Sequence, residues 1–119
     1  MTEIDKFPLN ERTVKFAEDI IDLCKSVKSS SISHPIIAQL VRSGTSIGAN
    51  YAEATAASSK KDFRNKIFFC KKEAQETRYW LNLLIKAGGK NDLSAKLADE
   101  CQQLVLIFQR ITSTIDGKK

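Results

Sequence analysis

Apolar residues recur along this chain at steps of three and four, the spacing of one helix face, and strand-like alternation is missing throughout. Ala17, Ile20, Cys24 and Val27 define a first helix, predicted to start at the N-cap Asn10, followed by Glu11, and to run to about Lys28 before the cluster Ser29, Ser30, Ser31. A second helix takes Ser33 as its cap. Pro35 falls in its first turn, where a missing N–H costs nothing, and the helix carries Ile37, Val41, Gly44, Gly48 and Tyr51 inward before ending near Ala57. Ser59-Lys60-Lys61-Asp62 fits the Ser-x-x-Asp capping pattern and opens a third, long helix that stops at the C-cap signal Gly88-Gly89. Phe63, Ile67, Cys70, Ala74, Thr77, Leu81 and Leu84 make its heptad seam. After Lys90-Asn91-Asp92 a fourth helix repeats the pattern with Leu97, Cys101, Leu104, Phe108, Ile111 and Ile115. Connections of about one to five residues cannot carry a helix across the bundle, so neighbours in sequence must run antiparallel. The predicted fold is an all-α, antiparallel up-down-up-down four-helix bundle, one domain over residues 1–119 with loose ends at 1–7 and 117–119.

Length agrees with this. With 119 residues, 42% of them apolar, the chain can build one core and not two. No stretch approaches ~18 uncharged apolar residues, and the first ten residues lack a basic region followed by an apolar one, so a cytoplasmic protein with no membrane partner is expected. Cys24, Cys70 and Cys101 are odd in number and far apart, unlike a disulfide framework or a structural zinc site. All three fall on core seams and read as reduced, buried thiols.

A second row runs along helix three, turned by about 120° from the core seam: Lys66, Phe69, Glu73, Glu76, Trp80 and Leu83. Helix two offers a counterpart in Ser43, Ser46, Asn50 and Glu53, with Arg42 beside it. Packing these rows together would bury carboxylates, which requires partners, and Arg42, Lys66 and Arg78 are the cations at hand. A polar network within the bundle or between subunits is expected, the alternative being a solvated face.

Two motifs resemble chemistry. Gly44-Thr45-Ser46-Ile47-Gly48 matches the G-x-S-x-G nucleophile elbow, but that elbow needs a strand before it, and here helical periodicity runs through both sides. Gly44, Gly48 and Ala52, spaced by four, instead let another helix approach closely. Glu53, Glu73 and Glu76 could suggest a di-metal centre, yet such bundles use two Glu-x-x-His pairs and this chain has one histidine, His34. Phosphate loops and dinucleotide fingerprints are absent, so no enzyme, cofactor, metal or small-molecule substrate is expected.

Charge adds one feature. Lys60 to Lys86 contains eight basic and three acidic residues, a balance of +5 that equals the net charge of the whole chain. Lys60, Arg64, Lys71 and Arg78 share a face; Lys61, Phe68, Lys72, Tyr79 and Lys86 flank it. Cations interleaved with aromatics can grip phosphates and stack bases, which makes Lys60, Lys61, Arg64, Lys71, Lys72 and Arg78 candidates for contact with RNA or single-stranded DNA. The alternative is a solvated face whose aromatics pack on a neighbouring subunit.

Ser46-Ile47-Gly48-Ala49-Asn50-Tyr51-Ala52-Glu53-Ala54, then Ser59 to Phe63, then Lys72-Glu73-Ala74-Gln75-Glu76-Thr77-Arg78-Tyr79-Trp80-Leu81, resemble the bacterial four-helix bundle family named for intervening sequences in large-subunit ribosomal RNA genes, also called S23 ribosomal proteins. The likeness covers about Phe7 to Ile115. It implies a homopentamer without established enzymatic activity, and kinship with the nucleic-acid-binding accessory proteins of diversity-generating retroelements. Arg42, Asn50, Glu53, Glu73, Glu76, Tyr79 and Trp80 form the expected assembly network, the last six being what the resemblance implies as signature positions. Ala54 stands where many members have glycine, a small departure.

Overall fold

The computed structural model of the chain describes residues 8–117. The expected loose ends at 1–7 and 117–119 lie, except for Gly117, outside the described residues. Four helices follow one another: α1 (Leu9–Ser26), α2 (Ser33–Thr55), α3 (Lys60–Leu84) and α4 (Asp92–Ile115). Among the described residues there is no strand, and α1 and α3 stand diagonally across an antiparallel bundle, both flanking α2. The predicted all-α four-helix bundle is what forms. No helix among the described residues is long and apolar enough to cross a membrane.

The caps explain the boundaries, and two of them correct the sequence reading. Pro8, not Asn10, precedes α1; its carbonyl accepts from the Arg12 N–H at 3.0 Å, and no side chain caps the helix. A proline at this edge sets φ near the helical value, so the helix starts ahead of the polar residue. At α2 the cap is Ser30 rather than Ser33. Its Oγ accepts from the Ser33 N–H at 2.9 Å, and its carbonyl accepts from the His34 N–H at 2.9 Å. Ser33 is itself buried, donating to the Lys28 carbonyl at 2.9 Å. At α3 the Ser59 hydroxyl accepts from the Asp62 N–H at 3.0 Å, as its spacing predicts. Asn91 and Ser94 cap α4 reciprocally. Between α3 and α4 a π-helical turn, Ile85–Gly89, ends on Gly88 at φ 114°, a left-handed conformation that glycine adopts without a Cβ penalty.

The core draws on every helix: Phe16, Ile20 and Leu23; Leu40 and Ile47; Ile67, Cys70 and Leu81; Leu97, Leu104 and Phe108. The α3 seam is the predicted one from Ile67 onward, with Phe63 half-buried. On α2 the inward face is rotated from expectation. Leu40, Ser43 and Ile47 are fully buried, whereas Ile37, Val41, Gly48 and Tyr51 are half-buried. The small residues turn toward α1 instead: a Cβ on Gly44 would stand 3.1 Å from the Ile20 side chain, and one on Gly48 3.3 Å from the Thr13 hydroxyl. Close helix approach is therefore their role, and the larger side chains point to the bundle centre. Ser43, expected on the polar row, belongs to the core, its hydroxyl returned to the Leu40 carbonyl at 3.4 Å.

Two buried polar features tie the bundle together. The cysteines are free thiols, two of them donating to carbonyls of the neighbouring helix, Cys70 to Ile47 at 3.6 Å and Cys101 to Ala74 at 3.2 Å. Arg12 on α1 reaches α4 as a fork, its Nε 3.1 Å and Nη2 2.7 Å from the two Glu100 carboxylate oxygens, with Nη2 also donating to Gln103 at 3.2 Å. This pair went unnoticed in the sequence. It crosses the α1–α4 side, the most loosely packed of the four.

Candidate functional site

The longest contact in the bundle, between α2 and α3, carries the second row on its outer edge. Arg42 is the hub. Its guanidinium pairs with Glu76 and stands 3.5 Å from Glu73, while its Nε donates to Gln39 at 3.1 Å. Glu76 also accepts from the indole N–H of Trp80 at 3.0 Å, and Tyr79 lies edge-on to Trp80 with ring centroids 5.0 Å apart. Two turns before Glu73 on α3, Lys66 pairs with Glu53 at 3.1 Å. Arg42, Glu53, Lys66, Glu73, Glu76, Tyr79 and Trp80 are thus brought onto one face. Asn50 lies on the same side of α2 but its side chain donates to the Ser46 carbonyl of its own helix at 2.9 Å.

Energetics separate this face from the core. The Arg42 side chain remains 46% exposed and that of Glu53 59%, so these pairs each contribute about 0–1 kcal/mol to the single chain. The face holds its side chains in a fixed pattern without being needed for folding, and it leaves aromatic surface uncovered: Phe69 is 45% and Tyr79 58% exposed, and Trp80 is half-buried. Each carboxylate of the trio faces a cation, Glu73 and Glu76 sharing Arg42 and Glu53 taking Lys66, which neutralises the charge a metal site would use.

Arg78 was expected in this network and is on the other side of the helix. Its guanidinium donates to Gln102 of α4, Lys71 donates to Gln109 at 2.7 Å, and Arg64 forks onto Asp116 at 2.6 and 2.8 Å. The carboxylate of Asp116 holds Arg64 still more firmly protonated than usual. Three members of the basic row therefore form a ladder down the α3–α4 seam. The signal was present in the sequence: 64, 71 and 78 ascend by seven while 102, 109 and 116 ascend by seven, and in an antiparallel pair the two series meet rung by rung. Lys60, Lys61 and Lys72 have no ion pair among the described residues and remain exposed. Lys71 also lies 5.6 Å from the Phe68 ring centroid, a cation–π contact.

The serine motif is absorbed by the helix. Ser46 donates to the Arg42 carbonyl at 2.6 Å inside an unbroken α2, and His34 is twelve residues away, about 18 Å along the axis.

With this geometry in hand, comparison with known proteins gives consistent findings. The family model described as 23S rRNA-intervening sequence protein matches residues 6–110. A solved structure of a protein with unknown function from the S23 ribosomal protein family of Bacteroides thetaiotaomicron is similar at 33% identity, covering 88% of this chain and 98% of that one, with a TM-score of 0.77. No curated protein matches.

Proposed function

The chain belongs to the 23S rRNA-intervening sequence protein family, and on that premise we propose that it works as a self-assembling, non-enzymatic helical bundle whose α2–α3 edge is an assembly surface. The observation that carries this reading is the uncovered aromatic surface beside a pre-ordered ionic network. Phe69, Tyr79 and Trp80 stand next to Arg42, Glu73 and Glu76, whose geometry is already fixed by contacts within the chain. Uncovered aromatic rings that flank a polar row in this way mark a protein contact, and pre-ordered side chains lower the entropy cost of docking. Five subunits is the number the family resemblance implies, and the role follows the oligomer: a scaffold or accessory factor presenting several copies of one surface. The test is sedimentation of the native chain against Phe69→Asp/Tyr79→Asp, changes at exposed positions that leave the core intact. The variant is expected to keep its helical circular dichroism and to sediment as a single chain; a variant that sediments like its parent contradicts the reading.

A second reading has its own support. Lys61, Phe68, Lys72 and Tyr79 alternate along the outward ridge of α3, with both lysines unpaired, and contact with RNA or single-stranded DNA would use them. Binding to a labelled oligonucleotide should then fall steeply with salt, and Lys61→Glu/Lys72→Glu should flatten that dependence. An unchanged salt slope in the variant would remove this reading.

A further inference from the structure

An aromatic patch that is covered on assembly needs a mate, and α1 carries a surface of the opposite character. Val14 and Ile21, seven residues apart and so on one face, are 56% and 43% exposed. Glu11, Glu18 and Asp22 edge this row, all exposed and none ion-paired among the described residues, with Lys25 at its end. The other cations of α1 are engaged, Arg12 with buried Glu100 and Lys15 with Asp19 at 3.0 Å, so the outward charge is acidic. On α3 the composition repeats with the sign reversed: exposed Phe69 and Tyr79 beside unpaired Lys61 and Lys72. Because one antiparallel helix separates α1 from α3, the two run in the same direction; with Thr13 beside Gly48, Ile20 beside Gly44 and Ile47 beside Cys70, copies standing side by side at one height bring Val14 level with Phe69 and Glu18 level with Lys72.

Position agrees with composition. Thr13 and Ile20 are the residues of α1 that meet Gly48 and Gly44 of α2. Val14 and Ile21 come next in the chain, about 100° further round, on the outer side that α1 shares with α2. Phe69 and Trp80 lie on the outer side that α3 shares with α2, beside the Arg42 pairs. These sides adjoin at α2. Head-to-tail docking of two different patches set at such a corner turns at each step and closes a small ring, whereas patches on opposite sides would build a filament.

We propose that the assembly contact is heterologous: the Val14–Ile21 row of one copy seats on Phe69, Tyr79 and Trp80 of the next, with Glu18 and Asp22 set against Lys72 at the rim. The proposal rests on the self-assembly reading above and names its partner surface. It is tested with Val14→Asp/Ile21→Asp. This variant should stay helical and sediment as a single chain, as should Phe69→Asp/Tyr79→Asp. Each keeps one intact half of the contact, so an equimolar mixture of the two is expected to give a dimer and nothing larger. Glu18→Lys should weaken the assembly most at low salt, where the new repulsion is least screened, and Lys72→Glu in the same chain should restore it. A native chain that sediments alone removes the self-assembly reading and this one with it. Native assembly that persists unchanged in Val14→Asp/Ile21→Asp overturns the pairing alone. The same result combined with loss of oligonucleotide binding in Phe69→Asp/Tyr79→Asp would assign the aromatic patch to nucleic acid.

Discussion

Glu100→Ala is expected to lower the unfolding free energy by about 3–5 kcal/mol, the cost typical of breaking a buried ion pair from one side. The two side chains retain only 6% and 9% of their accessibility, and both carboxylate oxygens accept from the Arg12 guanidinium. Removing the carboxylate takes away both charge-assisted bonds between α1 and α4, which Gln103 does not replace. Against a total stability of about 5–15 kcal/mol, the loss is a large fraction. Glu100→Gln keeps one acceptor and should lose less. Arg12→Met/Glu100→Leu removes both charges together and should lie much closer to the native value. Urea midpoints at equal chain concentration, needed because assembly adds to apparent stability, give the comparison. A loss below about 1 kcal/mol for Glu100→Ala would mean that water reaches the pair and that the α1–α4 side is not sealed.

The second large effect is alkaline. Burial pushes the thiol of Cys24 up to about 11 and those of Cys70 and Cys101 up to about 12. In the unfolded chain a thiol ionises near about 8.5. Below that pH both states hold the proton and the cysteines have no pH effect. Above it the unfolded chain releases protons that the native chain keeps, so stability falls as pH rises and goes on falling until the folded values are reached. Three thiols together give a slope of about 4 kcal/mol per pH unit between roughly pH 9.5 and 11. Urea midpoints should hold up to about pH 8 and drop steeply beyond it, and Cys70→Ala should remove about a third of the slope while lowering stability at neutral pH through the cavity it leaves. Midpoints that stay level through pH 10, or a slope that Cys70→Ala leaves intact, would contradict the buried placement of these groups.

How far the fold could be read in advance depends on which residues carried the signal. The α3 seam and its Ser59 cap were legible because period and capping chemistry agreed over seven turns. The face of α2 was not, since Gly44 and Gly48 share the apolar period but mark the close approach to α1, while Leu40, Ser43 and Ile47 hold the direction of the core. Pro8 and Ser30 displaced the caps by geometry that composition alone does not rank. For the candidate site, the row from Lys66 to Trp80 was legible as a second amphipathic face, and the structure brings it against Arg42 and Glu53. Arg78 stands on the basic face with Arg64 and Lys71, as their spacing of seven predicts, and meets its heptad partner Gln102 rather than the carboxylates of the second row. Arg12 and Glu100, separated by 88 positions, left no local pattern, and only the meeting of α1 with α4 shows them as a pair.

The outward aromatic edge of α3 is, on the proposed assembly, the surface that a second copy covers. Light scattering of the native chain at micromolar concentration tests this most directly. The expected molar mass is a multiple of 13.3 kDa, about five times that value if the ring has the number of subunits its family implies. A mass of 13.3 kDa, unchanged on concentration, would contradict it.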